Sequence, residues 1–363
     1  MILAQLSESA LLANVAVARS RAQGAQILAM VKADAYGHDM LGVAERIASH
    51  VDALGVARVD EAVRLRDHGI HAPVVVVEGP ASEEELRVAQ QLKLTLAIHQ
   101  FRQIQWLVQH SAPTAVWLKI DTGMHRLGFA ANEAQEGLTQ LMALDHVHVQ
   151  TIMSHLACSD EPEHPMNAKQ AERFDHQLAP MQALAPNATW SLGNSGYVLS
   201  HGGEPGSWVR PGIMLYGASP SNQQSAAEFG LTPVMRLVAP VLERRTVAVG
   251  ETVGYGCTWT AVRPTDIAVV GIGYGDGFPR SMDESAQVYW NGYYCPIVGR
   301  VSMDKVMVDV TDLPNSIPLD EMVELWGIHR PLNDVAQSCG TIAYEVTCQL
   351  TGRVRKAWVK EHS

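Results

Sequence analysis

A lysine inside an apolar run is the first residue in this sequence that asks for chemistry. Lys32 closes the stretch ILAMVK, after five mostly apolar residues. An ammonium in apolar surroundings is costly unless it is paired. Two readings fit it. The side chain snorkels out from a strand end, or its surroundings lower its pKa so that the neutral amine can form a Schiff base with a carbonyl. Far downstream lie two glycine-bearing loops, Gly193-Asn194-Ser195-Gly196 and Arg210-Pro211-Gly212-Ile213. Glycine lets backbone N–H groups come close to phosphate oxygens, and Ser195 adds a hydroxyl. Either loop alone also reads as a simple turn.

Bringing these groups together takes a scaffold, and the first two-thirds of the sequence predicts one. β-Branched and apolar runs at residues 27–34, 53–58, 73–79, 94–99, 115–121, 149–156, 188–194 and 208–213 alternate with helical patterns. Several are continuous, such as Val74-Val75-Val76-Val77, which suits strands buried on both faces. Ala171, Phe174, Leu178, Met181 and Ala185 recur at steps of three and four, one face of a helix. Ser82 and Glu85 form a capping box at another helix start. Eight strands separated by helices predict a (β/α)8 barrel of the TIM type, with chemistry at the carboxyl ends of the strands. Lys32, Tyr36, Arg126, His155, Asn194, Ser195, Arg210 and Gly212 fall there. An open doubly wound sheet would carry a glycine-rich fingerprint after its first strand, where this chain has Lys32-Ala33-Asp34-Ala35-Tyr36-Gly37. The loops after strands seven and eight of such barrels commonly bind phosphate, and the two glycine loops follow those strands. A Schiff-base lysine and a phosphate cradle together fit pyridoxal 5′-phosphate (PLP), which needs both.

The pattern changes near residue 225. The polar stretch 219–225 reads as a linker, and the strands beyond it alternate. Val306, Val308 and Val310 share one face, and Asn291-Gly292 is a two-residue hairpin turn. We therefore divide the chain into a barrel domain, residues 1–225, and a mostly antiparallel β domain, residues 226–363, with a short helix near 333–338. The 363 residues carry a formal net charge of −11, which argues against nucleic acid as a partner, because phosphate contacts need a basic face. No apolar stretch approaches the roughly 18 residues that span a bilayer, and the N-terminus lacks the basic start of a secretory signal. The 5 cysteines form no C-x-x-C pair, so we expect a reducing, cytoplasmic setting and no structural zinc. GIGYGDG (271–277) fails the dinucleotide spacing in every register, and His146 and His148 lack a third metal ligand.

The stretch MVKADAYGHD resembles the PLP-lysine signature of alanine racemases. Further stretches resemble that family in its own order: KIDTGMHRLGF (119–129), MSHLACSD (153–160), LGNSG (192–196), VRPGIMLYG (209–217), VGYGCTW (253–259), GYGDGFPR (273–280), GRVSMDKVMVD (299–309) and ELWG (324–327). Two residues depart from the pattern: His125 stands where family members often carry glycine, and Asp39 where they often carry a small residue.

The resemblance implies interconversion of L- and D-alanine on PLP, in a homodimer whose active sites are shared across the interface. It makes Lys32 the Schiff-base lysine and one catalytic base, and Tyr255, from the partner subunit, the other. Two bases suit the reaction, because the proton leaves one face of the substrate and returns to the opposite face. A phenol near its reference pKa of about 10 is a poor base at neutral pH, and bringing it to about 7 takes roughly 4 kcal/mol. Positive charge from Arg210, relayed by His155, would supply part of this. The resemblance also places Arg210 on the pyridine nitrogen and Arg126 on the substrate carboxylate. Tyr36, Asn194, Ser195, Gly212, Ile213 and Tyr344 would bind the cofactor around its phosphate. Tyr274, Met303 and Asp304 would close the substrate entrance from the partner, and Tyr274 and Tyr344 would narrow it, favouring a side chain as small as methyl. Lys119 can be carbamylated in the family, and the sequence leaves that open. A broad-specificity amino-acid racemase of the same family is the alternative.

Overall fold

In the computed structural model, described over residues 1–221, 223–314 and 321–362, the chain forms two eight-stranded sheets and one of two strands. The first strand, β1 (Leu3–Ser7), belongs to the second large sheet, and the barrel begins only after the helix Glu8–Arg21. Ser7 makes the transition, its hydroxyl oxygen accepting the Ala10 N–H at 3.2 Å as an N-cap. β1 went unpredicted because five residues, with Ala4 and Leu6 the only buried apolar ones, offer too short a period-two signal.

Strands β2 (Gln26–Met30), β3 (Ala53–Val56), β4 (Val74–Val76), β5 (Thr95–Ile98), β6 (Thr114–Lys119), β7 (Val147–Met153), β8 (Thr189–Ser191) and β9 (Trp208–Val209) pair in parallel. Their order is β8-β7-β6-β5-β4-β3-β2-β9. β8 and β9 meet only through single bridges, Trp190 to Ser207 and Asn194 to Arg210, so the barrel is nearly closed. The second bridge lays the two glycine loops side by side. Each predicted run holds one strand. The last is shortest, because Pro211 has no N–H for a ladder and residues 213–216 turn into a 3₁₀ helix.

The second large sheet holds β10 (Met235–Val247), β13 (Thr265–Val270), β14 (Gln287–Trp290), β15 (Tyr293–Pro296), β16 (Val306–Asp309), β17 (Met322–Trp326) and β18 (Arg355–Val359). A hairpin of β11 (Thr252–Val253) and β12 (Trp259–Thr260) stands apart and carries Tyr255 in its loop. Pairing is antiparallel except where β1 runs parallel to β18. Asn291 and Gly292 turn with φ of 45° and 92°, both in the left-handed region that a two-residue hairpin turn requires. Of the polar stretch 219–225, Asn222 lies outside the described residues. Ser219 is docked on the helix Leu332–Ser338, exchanging two 2.9 Å hydrogen bonds with Asn333. Among the described residues, no helix is long and apolar enough to cross a membrane.

Candidate active site

Lys32 leaves β2 into an unusual turn. Ala33, Asp34, Ala35 and Tyr36 all have φ between 52° and 55°, a left-handed turn of four L-residues. Each such residue costs roughly 1–2 kcal/mol because Cβ crowds the carbonyl oxygen that follows. The turn persists because its surroundings fix it. Glu61 accepts the Ala33 N–H at 2.7 Å, and the backbone closes through Ala35 N–H to Val31 O and Gly37 N–H to Ala33 O. Gly37, at φ 80°, packs so close to the Thr347 carbonyl that a Cβ would lie 2.1 Å from its oxygen. The turn sends the Tyr36 ring back over the barrel mouth, where it stacks on buried Tyr216 at 5.1 Å and meets Tyr344 at 5.8 Å.

The turn opens onto a cavity of about 360 Å³ at the carboxyl ends of the strands. Lys32, Lys119, Arg126 and Arg210 line it, and among the described residues no carboxylate does. Four cations on one cavity wall repel one another. Burial and Arg126 hold the Lys32 amine below its usual value, and among the described residues no hydrogen bond or ion pair engages it. The Lys119 amine is pulled down to about 8 by burial, Arg210 and Arg126. Burial is also the main reason that Arg210 is lowered to about 10.

Arg210 is only 4% exposed. Its guanidinium donates to Ser191 Oγ, to the Ser154 and Leu192 carbonyls and, through Nη2, to His155 Nδ1 at 3.0 Å. None of these partners is a carboxylate, and among the described residues Arg210 makes no salt bridge. All those bonds use the terminal nitrogens, leaving Nε free to donate into the cavity that Arg210 lines. His155 is held far below its usual value by burial and Arg210, so its ring is neutral. Because Arg210 can only donate, Nδ1 of His155 accepts and the ring proton sits on Nε2.

At the other end of the cavity, Ser195 Oγ accepts the Gly212 N–H at 2.8 Å and the Met214 N–H at 3.4 Å. Its own hydroxyl proton remains available. Ile213 is fully buried, yet among the described residues no acceptor takes its N–H. A Cβ on Gly212 would sit 2.3 Å from Tyr36 Oη, so only glycine leaves the phenol its place. Asn194 caps the helix Ser195–Ser200, its Oδ1 accepting the Tyr197 N–H and the Ser159 hydroxyl proton. These groups fit PLP. An orphaned amide and spare hydroxyls face one end, an unengaged amine lies along the wall, and an unused guanidine N–H faces an acceptor-hungry interior.

The fold does not bring all the expected residues to this cavity. Tyr255, Tyr274 and Met303 are 72%, 41% and 53% exposed and lie in the β domain, outside the lining of their own chain's cavity. Tyr274, Met303 and Asp304 lie together. Tyr274 and Gly275 N–H groups bind the Ser302 and Met303 carbonyls, and Arg353 pairs with Asp304 at 2.7 Å. The possible metal histidine His146 instead donates to the Leu107 carbonyl. Glu61 and Tyr216, which hold the lysine turn, and Cys348, which lines the cavity, were not singled out from the sequence. Nothing in their local sequence signals a partner 28 or more positions away.

Residues 6–220 match the family model described as alanine racemase, N-terminal domain, and residues 234–358 match alanine racemase, C-terminal domain. An alanine racemase from Alcanivorax borkumensis is 43% identical over 351 residues, covering 97% of each chain. The solved structure of alanine racemase from Acinetobacter baumannii superposes with a TM-score of 0.93 at 36% identity, covering 99% of each chain. The enzyme from Bartonella henselae, solved with covalently bound pyridoxal phosphate, superposes with a TM-score of 0.88 at 29% identity, again over 99% of each chain.

Proposed function

The chain belongs to the alanine racemase family, and on that premise we propose that its cavity holds PLP on Lys32 and is completed by Tyr255 of a second copy. Its reaction is the interconversion of L- and D-alanine, and the family depends on PLP. The relatives do not favour the broad-specificity alternative. The observation that carries the site reading is the cavity wall of four cations without a carboxylate, which suits a ligand carrying a phosphate beside a substrate carboxylate.

When bound, PLP acidifies the substrate α-C–H by spreading the electron pair left behind. The residues of this chain do the rest. Lys32 takes or returns the α-proton on one face, as a neutral amine that its cationic neighbours keep accessible. Tyr255 serves the opposite face. His155 Nε2–H is the donor best placed to steady its phenolate, backed by Arg210 on Nδ1. Arg210 would meet the pyridine nitrogen through Nε, which its other bonds leave unused. Because an arginine keeps its proton, it would act there only as a donor, which favours return of the proton to the α-carbon. Arg126 holds the substrate carboxylate. Tyr36, Ser195, Tyr344 and the Gly212–Ile213 backbone hold the phosphate, with Asn194 fixing the Ser195 helix. Tyr274, Met303 and Asp304 of the second copy narrow the entrance. On this reading residues 1–225 form the cofactor domain and 226–363 the domain that presents Tyr255.

Lys119 would take up carbon dioxide. Its neutral amine adds to the carbon and releases one proton, giving a carbamate that turns one cation among four into an anion. Because its value falls from 10.5 to about 8, the neutral fraction rises steeply between pH 7 and 9 instead of above pH 10. With ¹³C-bicarbonate, a carbamate resonance should grow over that range and be absent from Lys119→Ala. A resonance unchanged in that variant would refute the assignment.

The whole reading is tested by chiral analysis of L-alanine incubated with the purified protein, with and without added PLP, alongside serine and valine. D-Alanine should form with PLP, and the bulkier substrate should react far more slowly. No D-alanine in the presence of PLP would overturn it.

A further inference from the structure

The turn that carries Lys32 is gripped from outside the barrel. We propose that Lys356 and Trp358 are positioning residues that hold this left-handed turn, with Glu61 as its anchor within the barrel, and so set where the Lys32 amine points. The proposal rests on the reading of Lys32 given above.

Three ties converge on eight residues. Glu61 binds the Ala33 N–H with one oxygen and the Ala57 and Arg58 N–H groups with the other, fastening the turn to the loop after β3. Lys356 Nζ lies 2.6 Å from Asp34 Oδ2, while Asp34 Oδ1 accepts the Met40 N–H that opens the next helix. Trp358 donates its indole N–H to Asp39 Oδ2 at 2.8 Å. The Trp358 ring is itself covered by Arg46 at 3.9 Å, and Arg46 binds the Gly42 carbonyl and Glu8. Gly42 leaves the room this needs, since a Cβ there would stand 2.2 Å from Asp39 Oδ2 and 2.3 Å from Trp358 Nε1.

Both outer ties come from β18, the last strand of the β domain, which pairs with β1. This strand thus reaches back to the first loop of the barrel. Asp39 shows why a tie is needed. Its φ is 67°, a conformation glycine adopts freely and other residues hold only when fixed by contacts. Its carboxylate is fixed by the hydrogen bond from Trp358. Four consecutive left-handed residues flanked by such a position persist only while the contacts around them over-determine the conformation.

The test uses the full-length protein with Lys356→Met, Trp358→Phe, Lys356→Arg and Asp39→Gly. In Lys356→Met and Trp358→Phe, amide hydrogen exchange across residues 33–39 should accelerate roughly ten-fold while exchange in β10 stays unchanged. For L-alanine, kcat should fall roughly ten-fold with KM nearly constant, because the base is misaimed and not removed. Lys356→Arg should restore both. In an Asp39→Gly background, Trp358→Phe should have no further effect. Unchanged exchange and kcat in both outer variants, with borohydride reduction still fixing the pyridoxyl group on Lys32, would overturn the positioning role alone. A pyridoxyl group found on another lysine would instead overturn the reading of Lys32, and the positioning role with it.

Discussion

Lys32→Ala should abolish racemisation, by at least about a thousand-fold, while leaving the protein folded and no less stable to heat. The loss follows from removing both the amine that holds the cofactor and the base on one face. The stability follows from the same environment. Lys32 makes no hydrogen bond among the described residues, and its ammonium is disfavoured by burial and by Arg126. Alanine removes a buried amine set among Lys119, Arg126 and Arg210, and the left-handed turn it precedes is fixed by backbone bonds and Glu61, not by the lysine side chain. A catalytic group that destabilises its own fold is the usual compromise at an active site. Activity with added PLP, and thermal melts of the variant and the parent both stripped of PLP so that cofactor linkage does not enter, decide the matter. A melt several degrees lower would mean that the lysine holds the turn, and residual activity above about a hundredth would mean that another group removes the proton.

Tyr255→Phe should split the two directions of proton exchange. Release of the α-hydrogen to solvent should drop about a hundred-fold or more from one enantiomer and far less from the other, because each base serves one face. Net racemisation must fall equally in both directions, since the two enantiomers have equal free energy. The washout of isotope is therefore the informative measurement. The location of Tyr255 adds a second expectation. It is 72% exposed and absent from its own chain's cavity. Mixing Lys32→Ala chains with Tyr255→Phe chains should recover about a quarter of full activity, as half the dimers become mixed and each holds one intact site of two. Recovery near zero, with exchange of subunits demonstrated, would place Tyr255 and Lys32 of one chain in the same site.

The sequence alone determined the barrel strands, the antiparallel second region and the ordered motifs that mark the family. It could do so because these are local signals: continuous apolar runs, a two-residue turn, and loops whose glycines and lysine sit next to strand ends. It also located Lys32, Ser195, Arg210 and Gly212, since each follows a strand that a reader can recognise. The tertiary structure decided the rest. The left-handed turn of Ala33–Tyr36 goes against the usual local preference of L-residues, and its partners Glu61, Tyr216 and Lys356 come from elsewhere along the chain. The parallel pairing of β1 with β18 joins the two ends of the chain, and no window of sequence contains both. The lack of any carboxylate beside Arg210 is likewise a property of the assembled cavity. Charge balance there is summed over four strands and loops that meet only after folding.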